Sequence, residues 1–78
     1  MTDTLVRKRS ITIAGHRTSI SMEQPFWKAL QEIATLRGQS MSTIITEIDA
    51  QSTGNLSSAI RLFVLAQYQS GALHPKNS

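Results

Sequence analysis

The 78-residue chain has no cysteine, which removes disulfides, thiolate nucleophiles and cysteine-ligated zinc together. Aromatic residues make up only 5% of it, so any core must be mainly aliphatic. No apolar run approaches the roughly 18 residues that a membrane span needs. Residues 1–10 hold charges with no apolar stretch behind them and do not read as a signal peptide. A soluble, cytoplasmic protein with no membrane partner is the expectation. A chain this short makes one domain at most and buries only about 60% of its unfolded surface, so self-association is a natural remedy.

Acidic residues are scarce too, five against eight lysines and arginines, and the resulting charge of +3 is unevenly placed. Arg7, Lys8, Arg9 and Arg17 precede Met22 with Asp3 alone against them. Beyond that point Lys28, Arg37, Arg61 and Lys76 are balanced by Glu23, Glu32, Glu47 and Asp49. Positive charge concentrated in one segment suits a polyanion, because each neutralised phosphate releases a counterion. A solvated basic tail is the plainer explanation of the same charges.

Along the chain, residues 1–8 read as a flexible basic N-terminal arm, 9–70 as one domain and 71–78 as a flexible tail. No internal repeat, low-complexity tract or second domain is evident. From Arg9 two alternating, β-branched runs appear, Ser10-Ile11-Thr12-Ile13 and Thr18-Ser19-Ile20-Ser21-Met22, which favours strands. Glycine as the first of two loop residues suits a type II′ turn at Gly15-His16. That turn pairs Ile13 with Thr18, Ile11 with Ile20 and Ser10 with Ser21. One face then carries Ile11, Ile13 and Ile20, and the other Ser10, Thr12, Arg17, Ser19 and Ser21. The rival is a single long strand bent at Gly15 and paired with another chain.

Glu23, Gln24 and Pro25 open a first helix, with Phe26, Ala29, Leu30, Ile33 and Ala34 at helical spacing, Trp27 and Leu36 widening the stripe, and Arg37-Gly38 as its end. Ser40 caps a second helix with the stripe Met41, Ile44, Ile45 and Ile48. Asn55 caps a third, from Leu56 to about Gln69. Its apolar residues cover more than one face, so it should be buried on several sides, more than one small subunit can offer.

Catalysis finds little support. His16 and His74 have no acidic neighbour at ligand spacing, and the carboxylates are scattered; Glu47 and Asp49, two apart, do not face each other on a helix. No phosphate-binding glycine loop or zinc spacing occurs, so neither an enzyme nor a cofactor or metal is expected. Phe26 and Trp27 could stack on single-stranded bases, although such a pair more often packs into a core. The start of the second helix, Ser40-Met41-Ser42, offers unpaired N–H groups suited to a phosphate; a plain cap accounts for Ser40 equally well. The polar strand face can contact bases through Arg17 and several hydroxyls, or simply be solvated.

The residues Arg17-Thr18-Ser19-Ile20-Ser21-Met22, then Leu30, Ile33 and Ala34, then Gly38-Gln39-Ser40 and Ile44-Ile45, resemble the ribbon-helix-helix family in order and spacing. Lys8 to Ser19, Phe26-Trp27, Glu47-Ile48-Asp49 and Asn55 to Arg61 look like a subgroup of short bacterial proteins assigned to it. The resemblance implies a mainly α fold with an N-terminal β ribbon or hairpin, a ribbon-helix-helix dimer with an additional C-terminal helix. In that family two chains each give a strand to a ribbon that enters the major groove of double-stranded DNA. A hairpin strand before Arg17 would widen that ribbon beyond two strands.

Carried over by position, Arg17, Ser19 and Ser21 face the bases, Ile20 and Met22 the core, and Ser40, Met41 and Ser42 clamp a phosphate; Arg7, Lys8 and Arg9 add charge. Asn55-Leu56-Ser57-Ser58 resembles the start of the family's second helix as well, and in that register the clamp moves to Leu56, Ser57 and Ser58. The expected function is a homodimeric DNA-binding transcriptional regulator or antitoxin-like repressor, with a further protein partner as a candidate. The alternative is a dimeric protein-interaction module of the same fold without DNA binding.

Overall fold

A computed structural model describes residues 5–71. The outer part of the N-terminal arm (1–4) and the tail from 72 onward, with His74, lie outside the described residues. Two strands, β1 (Val6–Ile13) and β2 (His16–Glu23), precede three helices, α1 (Gln24–Arg37), α2 (Met41–Gln51) and α3 (Leu56–Gln69).

The strands form one antiparallel hairpin within the chain, which excludes the single bent strand. The turn differs from the sequence expectation. It is Ala14-Gly15, with φ of 51° and 84°, so both central residues are left-handed as a type I′ turn requires. Glycine serves as well in the second position of that turn as in the first of a type II′. The register therefore slips by two: Ile13 pairs with His16, Ile11 with Thr18, Ser10 with Ser19 and Lys8 with Ser21. A slip of two restores every side chain to its own face, so Ile11, Ile13 and Ile20 still share one side. β1 also starts at Val6 rather than Arg9, because Met22 and Glu23 give Arg7 and Val6 strand partners.

The greasy face of the hairpin lies on the helices. Ile13, Ile20 and Met22 meet Leu30 and Ile33 of α1, Ile44 and Ile45 of α2, and Ile60 and Val64 of α3. Pro25 stands in the first turn of α1, where no intrahelical N–H is lost. Gly38, at φ 65°, ends the helix: its N–H reaches Thr35 O at 3.1 Å, and that of Gln39 reaches Ala34 O at 2.9 Å. Leu36, expected on the apolar stripe, is exposed, since it lies at the margin of the face that Ala29, Leu30, Ile33 and Ala34 bury, where no other element covers it.

Ser40 and Asn55 cap α2 and α3, accepting from Thr43 N at 3.0 Å and from Ser58 N at 3.1 Å. Within one chain α3 buries only Ile60 and Val64 fully; Leu62 and Leu65 are 66% and 49% exposed and Tyr68 is exposed beside them. Among the described residues no helix is long and apolar enough to cross a membrane.

Candidate nucleic-acid interface

Alternation sends every second hairpin residue away from the helices. Lys8, Ser10 and Thr12 of β1 and Arg17, Ser19 and Ser21 of β2 share this outward face, and all six are exposed. Lys8 stands opposite Ser21, Ser10 opposite Ser19 and Thr12 opposite Arg17. Arg17 leans along the ribbon, its Nε 3.4 Å from Ser10 Oγ. The face thus offers two cations and four hydroxyls on a pair of hydrogen-bonded strands.

The hairpin's one carboxylate, Glu23, is withdrawn from it by Arg61 of α3, whose Nε lies 2.9 Å from Glu23 Oε1. The hydrogen bond from Arg61 holds the Glu23 carboxyl below its ordinary value of 4.5, aided by a backbone hydrogen bond and opposed by partial desolvation.

The basic cluster of the sequence is divided by the same alternation. Lys8 joins Arg17 outside, whereas Arg7 and Arg9 fall on the side of Ile11 and Ile20. The Arg9 guanidinium donates to Gln24 Oε1 and sits 5.2 Å from the centre of the Trp27 ring. Arg9 therefore fastens β1 to the start of α1. Phe26 and Trp27 pack against the core, which occupies the aromatic pair that could have stacked on bases.

Both later helices begin at the edges of the ribbon. Ser42 Oγ donates to the carbonyl of Thr12 on β1, and Ser57 Oγ donates to that of Ser21 on β2 at 2.9 Å. In α2 the first intrahelical bond is Ile44 N to Ser40 O at 3.1 Å, and Thr43 N is taken by the cap, leaving the N–H groups of Met41 and Ser42 at the helix start. In α3 the corresponding bond is Ala59 N to Asn55 O at 3.0 Å, and the groups left are those of Leu56 and Ser57.

The two sequence registers for a phosphate clamp thus describe two real helix starts, one on each side of the ribbon. In the sequence the two starts are alternatives, and Ser10 and Thr12 share the polar face with Arg17, Ser19 and Ser21, while Lys8 enters only as added charge. The two-residue alternation already placed Lys8 on that face as well. His16 is exposed at the start of β2, and the described residues contain no group of three metal-ligating side chains.

A sequence profile described as a ribbon-helix-helix domain matches residues 6–68, spanning the hairpin and nearly all of the three helices. No curated protein and no solved structure matches the chain.

Proposed function

The chain belongs to the ribbon-helix-helix family, whose members are generally DNA-binding regulators, and from that premise we propose that it is a transcriptional regulator or antitoxin-like repressor that lays its hairpin in the major groove of duplex DNA. The observation that carries this reading is the outward face itself. It is fully exposed and free of unpaired carboxylate, and it holds Lys8 and Arg17 among hydroxyls that suit base edges and phosphates alike. Arg17, Ser19 and Ser21 face the bases, Lys8 adds charge beside them, and Arg7 contributes to the field from the opposite side of β1. The start of α2 at Ser40, Met41 and Ser42, and that of α3 at Leu56 and Ser57, offer N–H groups to the flanking phosphates. Arg9 acts indirectly, by holding β1 in place.

Titration of the protein against mixed-sequence duplex DNA at rising salt tests this. Affinity should fall steeply, with log K linear in log salt, as phosphate neutralisation requires. Absence of duplex binding at low salt would select the interaction-module reading instead.

We also place the homodimer contact on the outer face of α3. Arg61 is the only charged residue of that helix, and Glu23 engages it, so Leu62 and Leu65 can meet their own copies without like-charge repulsion. Sedimentation should show a dimer at tens of micromolar, and Leu65→Glu should return it to a folded monomer. A wild-type protein that stays monomeric would remove this contact.

A further inference from the structure

The hairpin contains a repeat that a scan along the chain does not reveal. Adding nine to a residue number carries Lys8 onto Arg17, Ser10 onto Ser19 and Thr12 onto Ser21. On the inward face the same step carries Ile11 onto Ile20 and Ile13 onto Met22. The observed register makes this step a spatial operation. A two-fold axis through the Ser10–Ser19 pair exchanges the pair Lys8–Ser21 with Arg17–Thr12, and the pair Arg9–Ile20 with Thr18–Ile11.

The starts of α2 and α3 follow the same exchange in their contacts, with a different step, fifteen. Ser40 corresponds to Asn55, Ser42 to Ser57 and Ile45 to Ile60. Both caps close on the residue three positions later, and both Ile45 and Ile60 are fully buried. Ser42 grips the Thr12 carbonyl and Ser57 that of Ser21, which are the two residues the ribbon axis exchanges. One half is thus β1 with α2 and the other β2 with α3. The halves interleave in the chain, and α1 has no counterpart, so neither step extends over the whole sequence.

From this arrangement, and resting on the DNA-binding reading above, we infer that one chain carries a complete, internally two-fold reading surface and recognises a duplex site with approximate two-fold symmetry of its own. Lys8, Ser10 and Thr12 make one half-contact, and Arg17, Ser19 and Ser21 make the other. The two cations stand four residue levels apart, about 14 Å along the ribbon at 3.4 Å per residue. The dyad of the site lies under Ser10 and Ser19, so the target's symmetry matches that of the protein, as it does where two chains supply the two strands. Here a single hairpin supplies both, and no strand from a second chain is needed.

The test compares full-length variants by fluorescence anisotropy on a duplex site enriched from a random pool by the wild-type protein. If no duplex is bound or enriched, the DNA-binding reading fails and the inference goes with it. If duplex is bound, the segment under each single hairpin should itself be two-fold symmetric, apart from any larger repeat that pairing of two chains through α3 adds. Lys8→Ala and Arg17→Ala should then weaken binding by matching factors, roughly 5- to 100-fold, each lowering the salt slope by about one.

The exchange variant, Lys8→Arg with Arg17→Lys, should keep wild-type affinity, because turning the protein through half a turn on the site restores the original contacts. Thermal midpoints should stay unchanged, since both residues are exposed. An asymmetric site, or an exchange variant as weak as Arg17→Ala, would overturn the two-fold surface while leaving DNA binding intact.

Discussion

The two halves of the molecule are alike on the outward face of the ribbon and unlike in the packing behind it. Ile11 and Ile20 occupy equivalent positions, yet Ile11 is half-buried and Ile20 is 2% exposed. β2 runs directly into α1, whose Leu30 and Ile33 close over its inward side, whereas β1 turns back on itself and has no such helix of its own. Ala59 and Phe63 of α3 are partly exposed where Ile44 and Ile48 of α2 are buried. The equivalent faces meet the exterior through similar hydroxyls and cations, so what is duplicated is the outward surface, and what differs is the packing behind it. An unpaired helix can break the symmetry of a core without disturbing that of the ribbon it supports.

The largest expected consequence lies in that difference of burial. Ile20→Asp places a charge with no partner in the centre of the core and should cost about 4 kcal/mol or more, enough to unfold a domain of this size. Ile11→Asp, its equivalent, should cost only about 1–2 kcal/mol, because the carboxylate can reach water. Urea denaturation of both variants measures the contrast; equal losses would mean that α1 does not shelter one strand more than the other. The helix caps should behave in the opposite way. Ser40→Ala and Asn55→Ala each remove the cap on an exposed helix-start N–H, Ser40 losing its exposed hydrogen bond with Thr43 Oγ1 as well, and each should lower stability by about 1 kcal/mol. A cap that costs several times more than its counterpart would set the halves apart here as well.

Much of this architecture could be read from the residues alone, for identifiable reasons. Pro25, the spacing of Ala29, Leu30, Ile33 and Ala34, and Arg37-Gly38 define α1 through local chemistry. Ser40 and Asn55 define the next two starts in the same way. The hairpin faces were legible because alternation has a period of two, which any even slip preserves. The turn itself was not, since one glycine satisfies two turn types and periodicity cannot choose between them. Arg9 was grouped with Lys8 by charge, although its parity with Ile11 already directed it inward. The two-fold relation escaped because its copies interleave and carry different steps. It becomes visible only when strand pairing brings Ser10 against Ser19. Leu36 and the α3 stripe show the remaining limit, because apolar spacing tells which face is greasy and not what covers it.

The turn that joins the halves supports a smaller prediction. Ala14 sits at φ 51°, where an L side chain is strained, so Ala14→Gly should raise stability by about 0.5–1 kcal/mol, the gain reduced by glycine's greater freedom when unfolded. Gly15→Ala, at φ 84°, should lower it by about 1 kcal/mol. Opposite signs from two neighbouring positions, read as shifts of the thermal midpoint, would verify the type I′ turn. Equal signs would return the turn to Gly15-His16 and move the symmetry axis off Ser10–Ser19.

The smallest effect concerns a contact present in one half alone. Arg61 of α3 binds Glu23, and the equivalent position in α2 is Thr46, which has no charge to offer. Since Glu23 has its carboxyl pKa depressed in the folded state, its contribution is present above its ordinary value of 4.5 and is lost as pH falls through the lower folded value. The thermal midpoint of the wild-type protein should therefore decline on acidification below about 4.5, and Glu23→Gln should decline less over the same range. Because both side chains remain partly exposed, the difference should shrink as salt is added. A Glu23→Gln profile parallel to the wild type's would mean that α3 is held to β2 by Ser57 and Ile60, the contacts it shares with α2, and that the added ion pair does not tighten its half of the fold.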